Sequence, residues 1–354
     1  MASIIPIQNL YYLLCYAWGL PEQRDYVKVK AESCPSVSDL FARLLIHGAE
    51  VLLRRGVTKE YKSYSEELYG VKGKLEVSST LKKNRIHEGL TVCSMDDLTE
   101  DILLNQIVYS SMHLMLRSDI DKSVREDLIR VYQRFPRVEI IPLSSVVFNR
   151  LRLNRNNRFY RLIINVCQLI HESMLPDSGK EGEYKFVDFT RDEKKMHAIF
   201  EEFLLNFYKK ECSSDYPIVK KSIIKFNLEA LDEEGESLLP EMITDVTLDN
   251  PATGQRIILD AKYYLEMLTS RFDTSKKLRR DHISQIQSYL DNQEEPGVPY
   301  TFETNGIMVY PQNGMVIKDA NFKHRNHTLR FCTVDLNQDW YKIDQRLKDI
   351  IRFN

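Results

Sequence analysis

The stretch RIILDAKYY (residues 256–264) runs apolar residues straight into an acid, a small residue and a base. An unbroken apolar run of this kind predicts a buried strand. Side chains two positions apart on a strand point to the same side, so Asp260 and Lys262 should project together. The plain interpretation is a buried salt bridge, because acid-x-Lys pairs also occur in less ordered contexts, such as Glu60 with Lys62. The surrounding residues must therefore decide whether this pair carries chemistry.

A second acid precedes this stretch in a similar setting. Asp245 lies in the strand-like run MITDVTL (residues 242–248), and the turn DNPATG (residues 249–254) leads from it toward Asp260. A hairpin of this length can bring both carboxylates together, and such carboxylates repel unless a cation compensates. Mg²⁺ prefers oxygen ligands and is commonly held by one or two carboxylates. Lys262 would then orient the attacking water and neutralise charge developing on a phosphate.

Two helices flank these strands and add polar residues. The helix HISQIQSYL (residues 282–290) places Gln285 and Tyr289 four residues apart on one face, and AIFEEF (residues 198–203) carries Glu201 and Glu202. Glu in a helix, Asp in a strand, D-x-K and Q-x-x-x-Y in this order resemble the RecB-like branch of the PD-(D/E)xK nuclease superfamily. The Pro that usually precedes the first Asp stands five residues earlier, at Pro240.

The nuclease resemblance implies a role for each matching residue. Asp245, Asp260 and Glu201 would bind metal together with the Ala261 carbonyl, and Lys262 would position water. Gln285 and Tyr289 would support the site or contact DNA. The choice of Glu201 over Glu202, and of one metal ion over two, stays open.

Four further segments resemble the McrC family, the nuclease subunits of McrBC modification-dependent restriction systems. They are IPIQNLYYLLCYAWG (residues 5–19), GVKGKLEVSSTL (70–81), MDDLTEDILLNQI (95–107) and RFYRLIINVCQLI (158–170). The match covers nearly the whole chain. It implies a protein that does not cut DNA alone, docks into a hexameric AAA+ GTPase ring of the McrB type and stimulates GTP hydrolysis. The complex would cleave double-stranded DNA bearing methylated cytosine with Mg²⁺, and GTP would be bound by the partner.

Composition is that of an ordinary globular protein. The 354 residues are 43% hydrophobic and 28% charged, with a net charge of −2. The longest apolar runs fall short of the ~18–20 residues that span a bilayer, and the N-terminus has no basic segment typical of a signal peptide. Six scattered cysteines without a CxxC pair indicate free thiols in a reducing compartment. We therefore expect a cytoplasmic protein with no membrane contact. Local basic clusters permit contact with nucleic acid without requiring it.

The order of elements predicts an α/β fold with a division near residue 190. Residues 1–190 should form an α+β region that binds and activates the GTPase partner, and residues 191–354 a restriction-endonuclease-like α/β/α domain. In the first region we expect helices at 38–55, with Ser38 or Asp39 as N-cap, at 98–117, at 122–133 and at 158–174, and short strands at 61–79.

Several alternatives remain at this stage. The segment GVKGK (residues 70–74) lacks the spacing of a phosphate loop and reads as a hairpin turn. The N-terminal aromatics around Tyr16 suit core packing better than an interface, and SKKLRR (residues 275–280) is either a DNA contact or a solvated loop. His282 is read as a helix-start residue. The rival functions are a non-catalytic activator of a GTPase with a decayed nuclease domain, and a stand-alone phage or transposon nuclease.

Overall fold

The computed structural model describes residues 5–22, 36–176, 184–263, 268–269, 277–295, 297–312 and 316–353. The chain forms two compact units, which we call the sheet unit (residues 1–34 and 188–354) and the inserted unit (residues 35–187). The boundary at 187/188 lies close to the predicted division near residue 190. The predicted region 1–190 differs from this arrangement at its start, because the first helix, α1 (Ile7–Ala17), belongs to the sheet unit.

The inserted unit combines a long antiparallel hairpin with a group of helices. Strands β1 and β3 pair over ten residues, from Glu60 opposite Thr99 to Tyr69 opposite Leu90, and β2 pairs with the other edge of β3. Helices α2, α4, α5 and α7 pack on one another. The elements are α2 (Val37–Arg55), β1 (Glu60–Tyr69), β2 (Lys74–Leu75), α3 (Val77–Lys83), β3 (Leu90–Thr99), α4 (Leu103–Leu116), α5 (Lys122–Arg134), α6 (Ser145–Asn149), α7 (Arg161–Ser173), β4 (Met174–Pro176) and β5 (Tyr184–Phe186).

Four local predictions for this unit need correction. The short strands predicted at 61–79 end before Val77, where helix α3 begins. Ser36 caps α2, since its hydroxyl accepts the Asp39 amide hydrogen at 3.2 Å, so neither Ser38 nor Asp39 is the N-cap. The predicted helix at 98–117 begins only at Leu103, because Leu98 and Thr99 belong to β3 and pair with β1. The glycine segment from Gly70 to Lys74 joins β1 to β2, which lie on opposite sides of β3, so it is a turn but not the tip of a hairpin.

The sheet unit is built on a six-stranded mixed sheet in the order β14-β15-β13-β10-β9-β6. Strands β10, β13 and β15 run parallel, and the other pairings are antiparallel, so the predicted α/β class is confirmed. The elements are α8 (Glu193–Glu211), β6 (Ile218–Lys220), β7 (Ile223–Lys225), α9 (Glu233–Leu238), β8 (Glu241–Ile243), β9 (Val246–Asn250), β10 (Gln255–Ala261), β11 (Leu268–Thr269), β12 (Lys277–Leu278), α10 (Arg280–Asn292), β13 (Asn305–Pro311), β14 (Ala320–His324), β15 (His327–Val334) and α11 (Trp340–Ile350).

Helices cover the central strand on both faces. Successive residues from Ile257 to Ala261 are buried although neighbouring side chains on a strand point in opposite directions. Ile258 packs with Ile286 and Leu290 of α10, while α8 contacts β9 and β10. The close approach of α10 requires a glycine in β13, since a Cβ on Gly306 would lie 2.8 Å from Ile286 Cγ1. This packing fixes α10 against the end of β10.

Helix α1 is part of the same core. Tyr16 is fully buried, stacks on Trp340 at 5.7 Å between ring centroids and meets Phe203 edge-on at 5.9 Å. Asn9 Nδ2 donates to the Leu336 carbonyl at 2.8 Å and to the Gln338 carbonyl at 2.7 Å. The prediction that the N-terminal aromatics belong to a core is therefore confirmed for Tyr16.

The described cysteines are buried free thiols, and Cys34 lies outside the described residues. Within the described ranges, no helix combines the length and apolar character needed to cross a membrane.

Candidate active site

The hairpin of β9 and β10 brings the two aspartates to one end of the sheet. Val246 pairs with Leu259, and Asp260 follows on β10 with only 1% of its side chain exposed. Lys262 comes just after the strand, and its amide still donates to the Val309 carbonyl at 2.9 Å. Lys262 Nζ lies 2.7 Å from Asp260 Oδ2, which confirms that acid and base project together. Tyr264, the last residue of the quoted stretch, lies outside the described residues.

Asp245 does not lie within a continuous strand, contrary to the prediction. Ile223 pairs with Ile243 in the β7–β8 ladder, whereas Lys220 pairs with Thr247 in the β6–β9 ladder. Two residues on one side therefore face three on the other, and Asp245 is the middle residue of the three. This is a β-bulge, a feature that re-aims side chains and is common beside active sites.

The bulge directs Asp245 at the neighbouring strand. Its Oδ2 accepts a hydrogen bond from the Ala261 amide at 2.7 Å. Thr244 holds the backbone before it, because its amide donates to the Ser222 carbonyl at 3.0 Å and its hydroxyl accepts from the Ser222 amide at 2.9 Å. Asp245 is thus fixed next to the backbone that separates Asp260 from Lys262.

Helix α10 supplies the two residues predicted from the Q-x-x-x-Y pattern. Gln285 Nε2 donates to Asp260 Oδ1 at 3.0 Å and also lies 2.8 Å from the Tyr289 hydroxyl oxygen. The Tyr289 hydroxyl donates to the Ile243 carbonyl at 3.1 Å. Gln285 therefore orients the Asp260 carboxylate, and Tyr289 connects it to the strand that precedes Asp245.

Helix α8 brings an acid and a histidine to the same place. Glu201 Oε1 lies 2.8 Å from His197 Nε2, and His197 Nδ1 accepts from the Tyr263 amide at 3.3 Å. Glu202 points further outward, with 45% of its side chain exposed against 22% for Glu201. The geometry favours Glu201 as the acid nearer the aspartates. His197 was missed from the sequence, although its position four residues before Glu201 on one helical face was a usable signal.

The site concentrates negative charge where water is scarce. Burial raises the pKa of Asp245 to about 7, with added repulsion from Asp260 and Glu201. Burial also raises the pKa of Asp260, although Lys262 opposes the change. At Glu201 burial acts in the same direction, but the hydrogen bond and charge of His197 outweigh it and lower the pKa. An acid cluster of this kind favours a bound cation.

The carboxylates of this site suit a hard divalent cation that takes few of its ligands from the protein. Among the described residues, no group of three or more His, Cys, Asp and Glu side chains is placed to hold a metal ion. Asp245 and Asp260 are the two carboxylates beside the end of β10, and Glu201 lies on α8, where it pairs with His197. Mg²⁺ is commonly held by one or two carboxylates and completes its shell with water and substrate phosphate. A role for the Ala261 carbonyl and for Glu201 as ligands stays a prediction.

Two other predicted positions are placed as follows. His282 lies in the first turn of α10 but is only 2% exposed, with Nδ1 3.0 Å from the Tyr310 hydroxyl, and burial lowers its pKa to about 4. It is a helix-start residue, as predicted, and its ring is buried. Of the basic segment 275–280, Ser275 and Lys276 lie outside the described residues, and Arg279 pairs with Asp281 at 3.2 Å.

Comparison with known proteins identifies the family. A family model described as McrBC 5-methylcytosine restriction system component matches residues 7–311. The chain belongs to this family. The family resemblance drawn from the sequence is thereby confirmed.

Two similar proteins match this chain over almost all of its length. It is 30% identical over 353 residues to the "Type IV methyl-directed restriction enzyme EcoKMcrBC" of Escherichia coli strain K12, covering 98% of this chain and 97% of that protein. A solved structure of a tetradecameric assembly of Thermococcus gammatolerans McrB AAA+ hexamers with bound McrC matches with a TM-score of 0.59. That match covers 99% of this chain and 76% of the other at 20% identity, so it shows a shared fold.

Proposed function

We propose that this chain is the DNA-cleaving subunit of a GTP-dependent, 5-methylcytosine-directed restriction complex. The observation that carries the proposal is the convergence of Asp245, Asp260 and Lys262 at one end of the β9–β10 hairpin, with Gln285 bonded to Asp260. Acids and a lysine in this arrangement suit hydrolysis of a phosphodiester, in which negative charge builds up on the phosphate. Family membership supplies independent support.

Each residue has a distinct task in this reaction. Asp245 and Asp260 would hold Mg²⁺, which polarises a phosphoryl oxygen and lowers the pKa of bound water. The Lys262 ammonium, 2.7 Å from Asp260, would orient the attacking water and offset the charge on the phosphate. Gln285 keeps the Asp260 carboxylate in one orientation, because its amide already donates to Oδ1.

The partner in this proposal is an AAA+ GTPase hexamer of the McrB type. The Thermococcus gammatolerans structure is titled as McrB AAA+ hexamers with bound McrC, and the Escherichia coli relative is named a methyl-directed restriction enzyme. The inserted unit would bind the ring and stimulate GTP hydrolysis, while GTP itself would be bound by the partner. The substrate would be double-stranded DNA with modified cytosine.

The deciding experiment separates cleavage from activation of the partner. The complex is assembled with the wild-type chain or with Asp260→Ala, and both DNA cleavage in Mg²⁺ and GTP hydrolysis are measured. We expect loss of cleavage with GTPase stimulation retained. Glu303→Ala is a matched control, since this carboxylate is exposed in the same unit. Unchanged cleavage with Asp260→Ala would refute the nuclease proposal and favour the non-catalytic activator.

A further inference from the structure

A second lysine stands at the rim of the acid cluster. Lys221 lies between β6 and β7, with Nζ 2.7 Å from Glu202 Oε1 and 3.9 Å from Glu201 Oε2. Its side chain is 35% exposed, whereas that of Lys262 is 10% exposed. The site therefore holds one interior ammonium group and one that reaches solvent.

The backbone of Lys221 is held in a fixed relation to Asp245. Ser222, the next residue, exchanges hydrogen bonds with Thr244, the residue before Asp245, and Thr244 is fully buried. The bulge sets Lys221 and Ser222 against the three residues that include Asp245. Only the flexible part of the lysine side chain is left to move, so its ammonium group stays within reach of the same small region.

The charges around Lys221 favour a role in binding phosphate. Three acids, Asp245, Asp260 and Glu201, gather here, and Lys262 is already engaged with Asp260 in the interior. The Lys221–Glu202 pair is solvated on both sides, and such surface pairs contribute little to stability. An ammonium on a flexible stem can exchange such a partner for a phosphate at small cost.

We propose that Lys221 is a DNA-binding residue that takes a backbone phosphate next to the cleaved one, releasing Glu202 as it does so. This inference rests on the proposed nuclease function. The competing role is structural, in which Lys221 only neutralises Glu201 and Glu202 within the protein.

The test measures DNA cleavage by the complete complex with its GTPase partner, over a range of concentrations of a methylated duplex and at several KCl concentrations. For Lys221→Gln we expect KM for DNA to rise about tenfold, the loss of one charge-assisted contact, with kcat within about twofold. The slope of log KM against log[KCl] should fall by about 0.9, the value for one phosphate contact on B-DNA. Lys221→Arg should restore both KM and the slope.

Lys220→Gln is the matched control, since Lys220 is the adjacent exposed lysine and should leave KM and slope unchanged. An unchanged salt slope in Lys221→Gln refutes the inference, as does a loss of kcat that Glu202→Gln repairs in the double variant, because repair shows simple neutralisation. Asp260→Ala run in parallel keeps the two proposals apart. If Asp260→Ala is inactive while Lys221→Gln behaves as wild type, only the role of Lys221 fails.

Discussion

The Ala261 amide donates a 2.7 Å hydrogen bond to Asp245 Oδ2, which ties the bulge before β9 to the end of β10. Asp245 is therefore positioned by backbone on both sides rather than by side-chain packing alone. The hydrogen bond favours the charged carboxylate, yet burial and the neighbouring acids prevail and hold the pKa at about 7. The geometry that brings the acids together also disfavours their ionised forms.

The unfavourable burial of the charged Asp245 carboxylate predicts how stability depends on pH in the absence of Mg²⁺. Because the folded-state pKa of Asp245 lies above the ordinary value of 3.8, the native state binds more protons than the unfolded state between about pH 4 and 7. Stability should therefore fall as pH rises across that window, by roughly 3–4 kcal/mol from this residue. Urea denaturation in EDTA from pH 5 to pH 8 measures it.

Asp245→Asn isolates this contribution, since the amide has no charge to bury. The variant should lose most of the decline that the wild type shows between pH 5 and pH 8. An identical decline in both proteins would show that Asp245 does not titrate in this range.

Binding of Mg²⁺ should be visible without any DNA. A ligand that binds only the folded state stabilises it by mass action, so saturating Mg²⁺ should raise the melting temperature by roughly 2–5 °C. The increase should be larger at pH 8 than at pH 6, because Asp245 must lose its proton to bind metal. Scanning fluorimetry with MgCl₂ measures the shift, and an equal shift in the Asp245→Asn, Asp260→Asn double variant would speak against this site.

The two α10 residues that hold Asp260, Gln285 and Tyr289, should affect DNA cleavage to different extents. Gln285→Leu removes the donor to Asp260 and should lower kcat for DNA cleavage about 10- to 100-fold, the usual cost of losing an orienting partner of a metal ligand. Tyr289→Phe removes only the hydroxyl that accepts from Gln285 and donates to Ile243, so its effect should be smaller. GTPase stimulation should be normal in both. The reverse order of effects would mean that Gln285 does not orient Asp260 during the reaction.

The aromatic core of the sheet unit predicts a large loss of stability on truncation. Phe203 has 0% exposure and meets Tyr16, Phe207 and Trp340. Phe203→Ala should therefore lower the free energy of unfolding by about 3–5 kcal/mol. Leu231→Ala, at a side chain 97% exposed, should change it by less than about 0.5 kcal/mol. Chemical denaturation of the two variants side by side checks the contrast.

Local pattern was enough to predict which of the candidate-site residues would lie together. Three signals are short-range: the apolar run before Asp260, the turn between the two aspartates, and the spacing of Gln285 and Tyr289. The structure brings Asp245, Asp260, Gln285 and Tyr289 together. The bulge at Asp245 could not be read in the same way, because it arises from the mismatch of two ladders with distant partners. Lys221 has no local sequence signal for the same reason, since its partners Glu201 and Glu202 lie on a different element.

The placement of α1 has a consequence for how the protein is made. α1 precedes the inserted unit in the chain, but its partner α8 begins only at Glu193, after the whole inserted unit. At elongation rates of ~5–20 residues per second, roughly ten to forty seconds pass between the synthesis of α1 and that of its packing partner. The inserted unit is continuous in the chain and can fold during that interval. The core of the sheet unit can therefore be completed only after the whole inserted unit has been synthesised.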